Sequence, residues 1–145
     1  MRKQKRHWVW SILLLFTLVV CFFSLLAHYK NWVWEEENSF NVLSGVYYKN
    51  LPFNSINEIE WVKKIPSLER SSGFSAWSKE KGVFIDSLKP ENTVYVYVDN
   101  LEHRKLRLRY QDSLLLFINL ADSLETIQLY EYLDSKISGS LDNKN

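Results

Sequence analysis

The sequence is poor in the residues from which small catalytic and cofactor sites are usually built. Its 145 residues include one cysteine, three histidines and four glycines. Because the single cysteine, Cys21, lies inside an apolar run, the chain offers neither an intrachain disulfide nor a thiolate metal site. The glycines are at least nine residues apart, which excludes a phosphate-binding glycine loop and a dinucleotide-binding fingerprint. We therefore expect no cofactor and no bound metal.

An excess of positive charge is also missing from most of the chain. The formal net charge is +1, but residues 31–145 contain 13 Lys/Arg against 17 Asp/Glu and so carry −4. A domain with this balance has no general attraction for a polyanion, so we expect no nucleic-acid partner.

One long apolar run is present, from Trp8 to Ala27, and it contains no charged residue. Twenty residues in a helix span roughly 30 Å, the thickness of the hydrocarbon core of a bilayer. Four basic residues precede the run and Glu35–Glu37 follow it, so the positive-inside rule places the N-terminus in the cytoplasm. We predict a cell-membrane protein with an outer domain and with three N-terminal segments: a basic cytoplasmic stretch at 1–7, a transmembrane helix at 8–29 that contacts the lipid bilayer, and a juxtamembrane linker at 30–39.

Three other interpretations of the apolar run compete with a permanent anchor. A cleaved signal peptide has the same basic start, but it favours a shorter core and small residues at the cleavage site, where Leu25-Leu26-Ala27 offers one. A lipoprotein cleaved before Cys21 requires a small residue at the position of Val20. A buried core helix would not be apolar around its whole circumference in so small a protein. A permanent anchor fits best.

Beyond residue 39, runs with β character alternate with turn residues at intervals of about ten residues, which is typical of a meander or barrel. We predict a mainly β domain at 40–137 with a mobile polar loop at Pro66–Gly73. The breaks fall at Leu51-Pro52, Ile65-Pro66, Lys89-Pro90 and Asp99-Asn100. The seven predicted strands are Phe40–Tyr48, Ile56–Val62, Phe74–Ser78, Val83–Asp86, Thr93–Val98, Lys105–Tyr110 and Leu114–Asn119.

The last segment changes to a helical period. Asp122 can cap a helix, with Glu125 three residues later to complete a capping box. An apolar stripe follows, and the opposite side is polar, so we predict an amphipathic closing helix that ends at Gly139, with 138–145 as a disordered tail. The stripe consists of Thr126, Leu129, Tyr130, Leu133 and Ile137, and the polar side of Glu125, Gln128, Glu131 and Ser135.

The region from about Phe40 to Ile137 resembles the bacterial pleckstrin-homology (PH) domains of small membrane-anchored proteins. The features that carry the resemblance are Ser55-Ile56, Ile59, Ile65-Pro66, Ser72-Gly73-Phe74, Gly82-Val83-Phe84, Thr93-Val94-Tyr95-Val96, Ile118-Asn119, Asp122, Glu125-Thr126 and Leu129-Tyr130. The resemblance implies a seven-stranded antiparallel barrel capped by a C-terminal helix, and it assigns no catalytic residue.

Two candidate binding surfaces follow from the pattern of side chains. Lys105, Arg107 and Arg109 fall on one face of a predicted strand at intervals of about 7 Å, so they can bind an anionic group or an acidic partner. Their structural alternative is a solvated face whose cations pair with acidic neighbours. Trp61 and Trp77 form the second candidate surface, an aromatic anchor patch for another protein, and their alternative is packing in the core and at strand edges.

Catalytic residues are scarce beyond the apolar run. His103 is the only histidine there after the boundary residue His28, and with Ser113 and Asp99 or Asp112 it makes a conceivable hydrolytic set; its alternative is a solvated loop histidine. We therefore interpret the chain as a membrane-anchored, non-catalytic binding module of the bacterial envelope, with a protein or a small anionic ligand as its partner. A small Ser/His hydrolase and a passive structural subunit of a membrane complex are the alternatives.

Overall fold

A computed structural model describes residues 5–142, and the side chains of residues 7–139. The described chain is mainly β with a helix at each end, which confirms the predicted class. Its elements in chain order are α1 (Lys5–Tyr29), β1 (Asn31–Glu36), β2 (Ser39–Ser44), β3 (Tyr47–Pro52), a 3-10 turn (Phe53–Ser55), β4 (Ile56–Val62), β5 (Leu68–Ala76), β6 (Lys79–Asp86), β7 (Lys89–Val98), β8 (Lys105–Tyr110), β9 (Leu114–Asn119) and α2 (Ser123–Asp142).

Helix α1 is long and apolar enough to cross a membrane over His7–Tyr29, where its mean hydropathy reaches 2.6 and none of it is buried by the rest of the chain. The hydroxyls of Ser11 and Thr17 donate to carbonyl oxygens four residues earlier, so these polar groups are satisfied within the helix. The helix begins at Lys5, three residues before the predicted start, because nothing in the preceding basic residues stops it. Residues 1–4 of the predicted basic segment lie outside the described residues.

The nine strands form two sheets, one of three strands in the order β1-β2-β3 and one of six in the order β4-β8-β9-β7-β6-β5. The pair β7–β9 is parallel, and the remaining neighbours are antiparallel. The edges β4 and β5 are joined by residues 63–67, which reach about 20 Å, whereas five strand spacings in a flat sheet need about 24 Å. The larger sheet must therefore curl to bring its two edges closer together. Its edge strands β4 and β5 do not pair, so the sheet does not close into a barrel. The structure does not confirm the predicted seven-stranded PH-like barrel.

The larger sheet has a hydrophobic core on each face, and β7 contributes to both. Val94, Val96 and Val98 pack with Phe84 and Phe117 on one side. Tyr97 packs on the other side, among residues of β8, β9, the smaller sheet and α2. Both faces of β7 are therefore covered, because a hydrophobic cluster packs on each side of the sheet.

Residues 30–39 are not a linker. Asn31–Glu36 form β1, which pairs along its whole length with β2, so the β domain begins at Asn31 rather than at residue 40. The predicted strand Phe40–Tyr48 is two strands, because Gly45 has φ +65° and starts a hairpin turn. An alternating pattern cannot reveal such a turn when apolar residues continue on both sides of it.

Most of the predicted mobile loop Pro66–Gly73 is also a strand. Residues 68–73 belong to β5, which pairs with β6 at the edge of the larger sheet. An edge strand with solvent on both faces needs no apolar side chains. Its sequence is therefore as polar as that of a loop, and the pattern predicts a loop here. Gly73 and Gly82 face each other in this pair, where a Cβ on Gly82 would lie 2.2 Å from the carbonyl oxygen of Ser72.

Helix α2 confirms the predicted start and the predicted stripe. The carboxylate of Asp122 accepts the Leu124 N–H at 2.9 Å, and the hydroxyl of Thr126 accepts the Leu120 N–H at 3.0 Å. The stripe is buried or partly buried, and the predicted polar side is exposed. The predicted end at Gly139 is wrong, since the helix continues to Asp142 with no steric hindrance at the glycine. Residues 143–145 of the predicted tail lie outside the described residues.

Candidate functional site

The connections of the β domain gather at two ends. The end next to the last turn of α1, named here the α1 end, comprises residues 30, 45–46, 77–78, 99–104 and 120–122. The opposite end, named here the far end, comprises residues 37–38, 53–55, 87–88 and 111–113. Strand registers place the connections in these two groups, and hydrogen bonds such as Leu101 N–H to the carbonyl of Ser78, at 2.7 Å, join members of one group.

A buried ion pair organises the α1 end. Lys81 Nζ lies 2.9 Å from Asp99 Oδ1, and both side chains are fully buried. Burial lowers the pKa of Lys81, while the hydrogen bond and the charge of Asp99 oppose that shift. The other carboxylate oxygen of Asp99 accepts the Asn31 N–H at 2.6 Å, and the Asn31 amide donates to the carbonyl oxygens of Tyr97 and Asn119. The first residue of β1 is thereby fixed to the ends of β7 and β9.

Sequence reasoning missed this network. From the sequence, Asp99 is a turn residue and a candidate member of the hydrolytic set, and the one available signal for the network was that Asp99 and Asn119 stand at the ends of two strongly apolar strands. Because β7 and β9 are parallel neighbours, those two ends meet. Parallel pairing is a long-range property that no local pattern reveals.

Lys105 is not part of an exposed basic face. Its side chain is buried, and its Nζ donates to the carbonyl oxygens of Lys63, Leu101 and His103 at 3.0, 2.5 and 2.7 Å. Burial lowers its pKa. The predicted alternation of side chains along β8 is correct. However, the connections of the α1 end cover Lys105, the first residue of the strand, so this lysine cannot reach a ligand.

Arg107 and Arg109 do project from one face of β8, and each has an acidic neighbour. Arg107 pairs with Glu60, and Arg109 pairs with Glu58 at 3.1 Å. Both glutamates lie on the adjacent strand β4, in the register that places them beside these arginines. The arrangement is the solvated, charge-paired face that the sequence left open as the alternative, so little uncompensated positive charge remains there.

Trp61, near the α1 end of β4, is half-buried and packs against the core, as the alternative for this residue expects, and only part of its ring reaches the surface. Its ring lies 5.2 Å from the ring of Tyr130, and the guanidinium of Arg104 lies 4.8 Å above it, a cation–π contact. Beside them is an apolar pocket of about 110 Å³, whose lining includes Ser123 and Ile127. Leu124 stands nearby on the first turn of α2 with 66% of its surface exposed.

Arg104 differs from the other arginines whose side chains the structure describes. Arg70, Arg107 and Arg109 each pair with a glutamate, whereas Arg104 has no carboxylate within ion-pair distance in that part of the chain. The sequence pattern selects Lys105, Arg107 and Arg109 as candidate binding residues and does not include Arg104. The sequence carries no signal for this difference, because pairing depends on which glutamates lie across the sheet.

Trp77 occupies the β5–β6 turn, away from Trp61. Its side chain is 94% exposed, and its backbone has φ +52°, which is rare for a bulky residue. The predicted aromatic patch of two tryptophans is therefore two separate features.

The hydrolytic set is not assembled in the structure. His103 precedes β8, whereas Ser113 and Asp112 follow its other end, so about 20 Å of strand separates them. The carboxylate of Asp99 forms an ion pair with Lys81. The Nε2 of His103 lies 3.3 Å from the amide nitrogen of Asn100. Within the described residues, no group of three or more His, Cys, Asp or Glu side chains is arranged to hold a metal ion.

Comparison with protein-family models, with curated proteins and with solved structures gives no match for this chain.

Proposed function

We propose that the protein is a single-pass membrane protein whose β domain, on the outer side of the cytoplasmic membrane, binds a protein partner without catalysing a reaction. The binding surface consists of Trp61, Arg104, Leu124 and Ile127, named here the Trp61–Arg104 surface. The likeness to bacterial PH domains stays a prediction, and the proposal does not depend on it.

Membrane insertion is supported by α1, which has the length and hydropathy to span a bilayer and is not covered by the domain. Alkaline carbonate extraction tests insertion: the intact full-length chain should stay in the membrane pellet. A phosphatase fused after Asn145 should be active, because the positive-inside rule places that end outside the cytoplasm. A chain cleaved near Ala27 and released, or an inactive fusion, would contradict the anchor or the orientation.

The observation that carries the binding proposal is the state of Arg104. Its guanidinium is held over Trp61 but is not neutralised by a carboxylate of the described residues, so its hydrogen-bond donors are available to one from outside. The adjacent apolar pocket and the exposed Leu124 offer contact area for an apolar side chain. A protein segment that carries both a carboxylate and an apolar side chain matches this surface.

A photo-crosslinking amino acid at Ile127, used in intact membranes, tests the surface. We expect a crosslink to one defined protein, lost on Arg104→Ala and retained on Arg109→Ala, the matched variant of an exposed arginine that already has a partner. A crosslinker at Leu88, which is 91% exposed at the far end, provides the positional control. If the crosslink were lost with Arg109→Ala and retained with Arg104→Ala, the binding site would instead be the charged face of β8.

A further inference from the structure

Trp77 is a residue that the fold itself does not explain. An indole with 94% of its surface exposed contributes little to the core, and φ +52° is a conformation that glycine or asparagine adopts more easily. A large aromatic side chain in this position suggests a contact with something outside the domain.

The β5–β6 hairpin lies against the end of α1. The ring of Phe74 is 5.0 Å from that of His28, and Lys79 Nζ is 5.6 Å from the centre of the Tyr29 ring. Three residues of strand separate Phe74 from Trp77, a distance of about 10 Å. Trp77 therefore lies within about 15 Å of the His28 ring, close to the point where the apolar helix ends.

Two other exposed apolar side chains come from neighbouring connections of the same end. Val46 is 73% exposed in the β2–β3 turn, directly after Gly45, which packs against the His28 ring. Leu101 is 37% exposed in the connection whose backbone N–H binds Ser78. Exposed apolar side chains of the β2–β3 and β5–β6 turns thus lie beside the end of α1, and Leu101 lies in a connection joined to the second of these turns.

The α1 end and the far end of the β domain also differ in their charged residues. Around the α1 end, Lys30, Lys63, Lys64 and Lys79 lie in or beside the connections and outnumber Glu102 and Asp122, the acidic residues there other than the paired Asp99. Acidic residues predominate at the far end, with Glu36, Glu37, Asp86 and Asp112. A surface with aromatic and apolar tips and a basic border is complementary to anionic lipid headgroups.

We propose that the β domain rests on the bilayer that holds α1, with Trp77 and Val46 inserted among the lipid headgroups. The occupant of this surface is lipid rather than protein because the connections around the end of a transmembrane helix face its own membrane. Only Lys30 separates α1 from β1, and β1 is fixed to the larger sheet through Asn31, so the domain has little freedom to move away. This inference depends on the membrane insertion of α1 proposed above, but not on the Trp61–Arg104 surface.

Tryptophan quenching by brominated lipid tests the position of Trp77. Full-length protein is reconstituted in vesicles of phosphatidylcholine and phosphatidylglycerol, with and without phosphatidylcholine brominated near the top of the acyl chains. The difference in emission between wild type and Trp77→Phe isolates the indole at position 77. We expect brominated lipid to quench that difference signal, because tryptophan at the headgroup level lies close to the top of the acyl chains.

Moving the indole provides the control. In Trp77→Phe/Leu88→Trp the indole stands at the β6–β7 turn of the far end, an equally exposed site, and the added emission should resist brominated lipid. Equal and weak quenching at both sites would overturn the inference. If Trp77 is accessible to aqueous quenchers in pure vesicles but protected in native membranes, its contact is a protein, which also overturns it.

The carbonate extraction described above separates the two possible failures. A chain that is extracted from the membrane removes the anchor, and with it the proposed function. A chain that stays inserted but shows no lipid quenching at Trp77 removes only the present inference.

Discussion

Lys105 is the side chain that joins two connections, the one between β4 and β5 and the one between β7 and β8. Its ammonium group satisfies carbonyl oxygens at residues 63, 101 and 103, all within 3.0 Å, in a place that water does not reach. Replacing it with alanine removes these hydrogen bonds and leaves the carbonyls unsatisfied.

We expect Lys105→Ala to lower the free energy of unfolding by about 3 kcal/mol. Lys64→Ala, which removes an exposed lysine close by, should change it by less than about 0.5 kcal/mol. Denaturant unfolding of the full-length protein in micelles, followed by near-ultraviolet circular dichroism, measures both. Equal effects of the two substitutions would contradict the burial of Lys105.

Tyr110 presents the opposite situation, a buried polar group that gains nothing from its surroundings. Its hydroxyl has no hydrogen-bond partner among the described residues, and burial raises its pKa above the ordinary value. An acid with a raised pKa in the folded state contributes stability that is present below its ordinary pKa of about 10. That contribution is lost as the pH rises further, because the unfolded chain ionises first.

We therefore expect Tyr110→Phe to leave stability at pH 7 unchanged or raised by up to about 1 kcal/mol. Its advantage over wild type should grow above pH 10, where the wild-type tyrosine favours the unfolded state. Thermal unfolding at a series of pH values shows the difference, and Tyr29→Phe, at an exposed site, is the control. A loss of stability at pH 7 would indicate that the hydroxyl has a partner.

At the scale of elements, two glycines have opposite roles. Gly82 lies where β5 and β6 approach closely, and an added Cβ would meet the backbone of Ser72. Gly139 lies inside α2, where an added Cβ meets nothing within 4 Å. The first glycine is required by the sheet, and the second only weakens the helix.

Gly82→Ala should destabilise the domain by about 2 kcal/mol or more, because the two strands must separate. Gly139→Ala should stabilise it by about 0.5–1 kcal/mol, because alanine favours a helix interior. Chemical denaturation of the two variants beside wild type provides the comparison. If Gly139→Ala destabilises, the helix ends at that glycine after all.

The elements also show which parts of the fold the sequence predicts. The bounds of β4, β8 and β9 agree with the prediction, because each is a run with a clear break on both sides. Only the last part of β5 was predicted, and its residues 68–73 and the β2–β3 turn were missed, since a solvent-exposed edge lacks a hydrophobic pattern and apolar residues occur on both sides of Gly45. Local patterns identify strands that bury one face and miss strands defined by their neighbours.

The candidate site was less predictable than the strands. Trp61 was identified from its residue type, but Arg104 could be recognised only after Arg107 and Arg109 were seen to face Glu60 and Glu58. Which cation lacks a partner depends on strand order, and the order β4-β8-β9-β7-β6-β5 is not readable from local sequence.

At the scale of the whole molecule, the connection between α1 and the β domain determines how the domain sits on its anchor. A single residue joins the helix to β1, Asn31 is fixed through Asp99, and the His28 ring packs on Phe74 and Gly45. Helix and domain should therefore move as one body, which holds the Trp61–Arg104 surface at a constant height above the membrane.

Distance measurements between spin labels test this rigidity. Cys21, exposed on α1, supplies one site, and Leu88→Cys at the far end supplies the other. In full-length protein in lipid nanodiscs we expect one narrow distance distribution. An insertion of about six Gly/Ser residues after Tyr29 should broaden it several-fold, because such a segment behaves as a flexible coil. Since the insertion leaves Asn31 and every strand intact, the thermal unfolding of the domain should change little. A broad distribution in the chain without the insertion would show that the contacts of His28 and Asn31 do not hold the domain against its anchor.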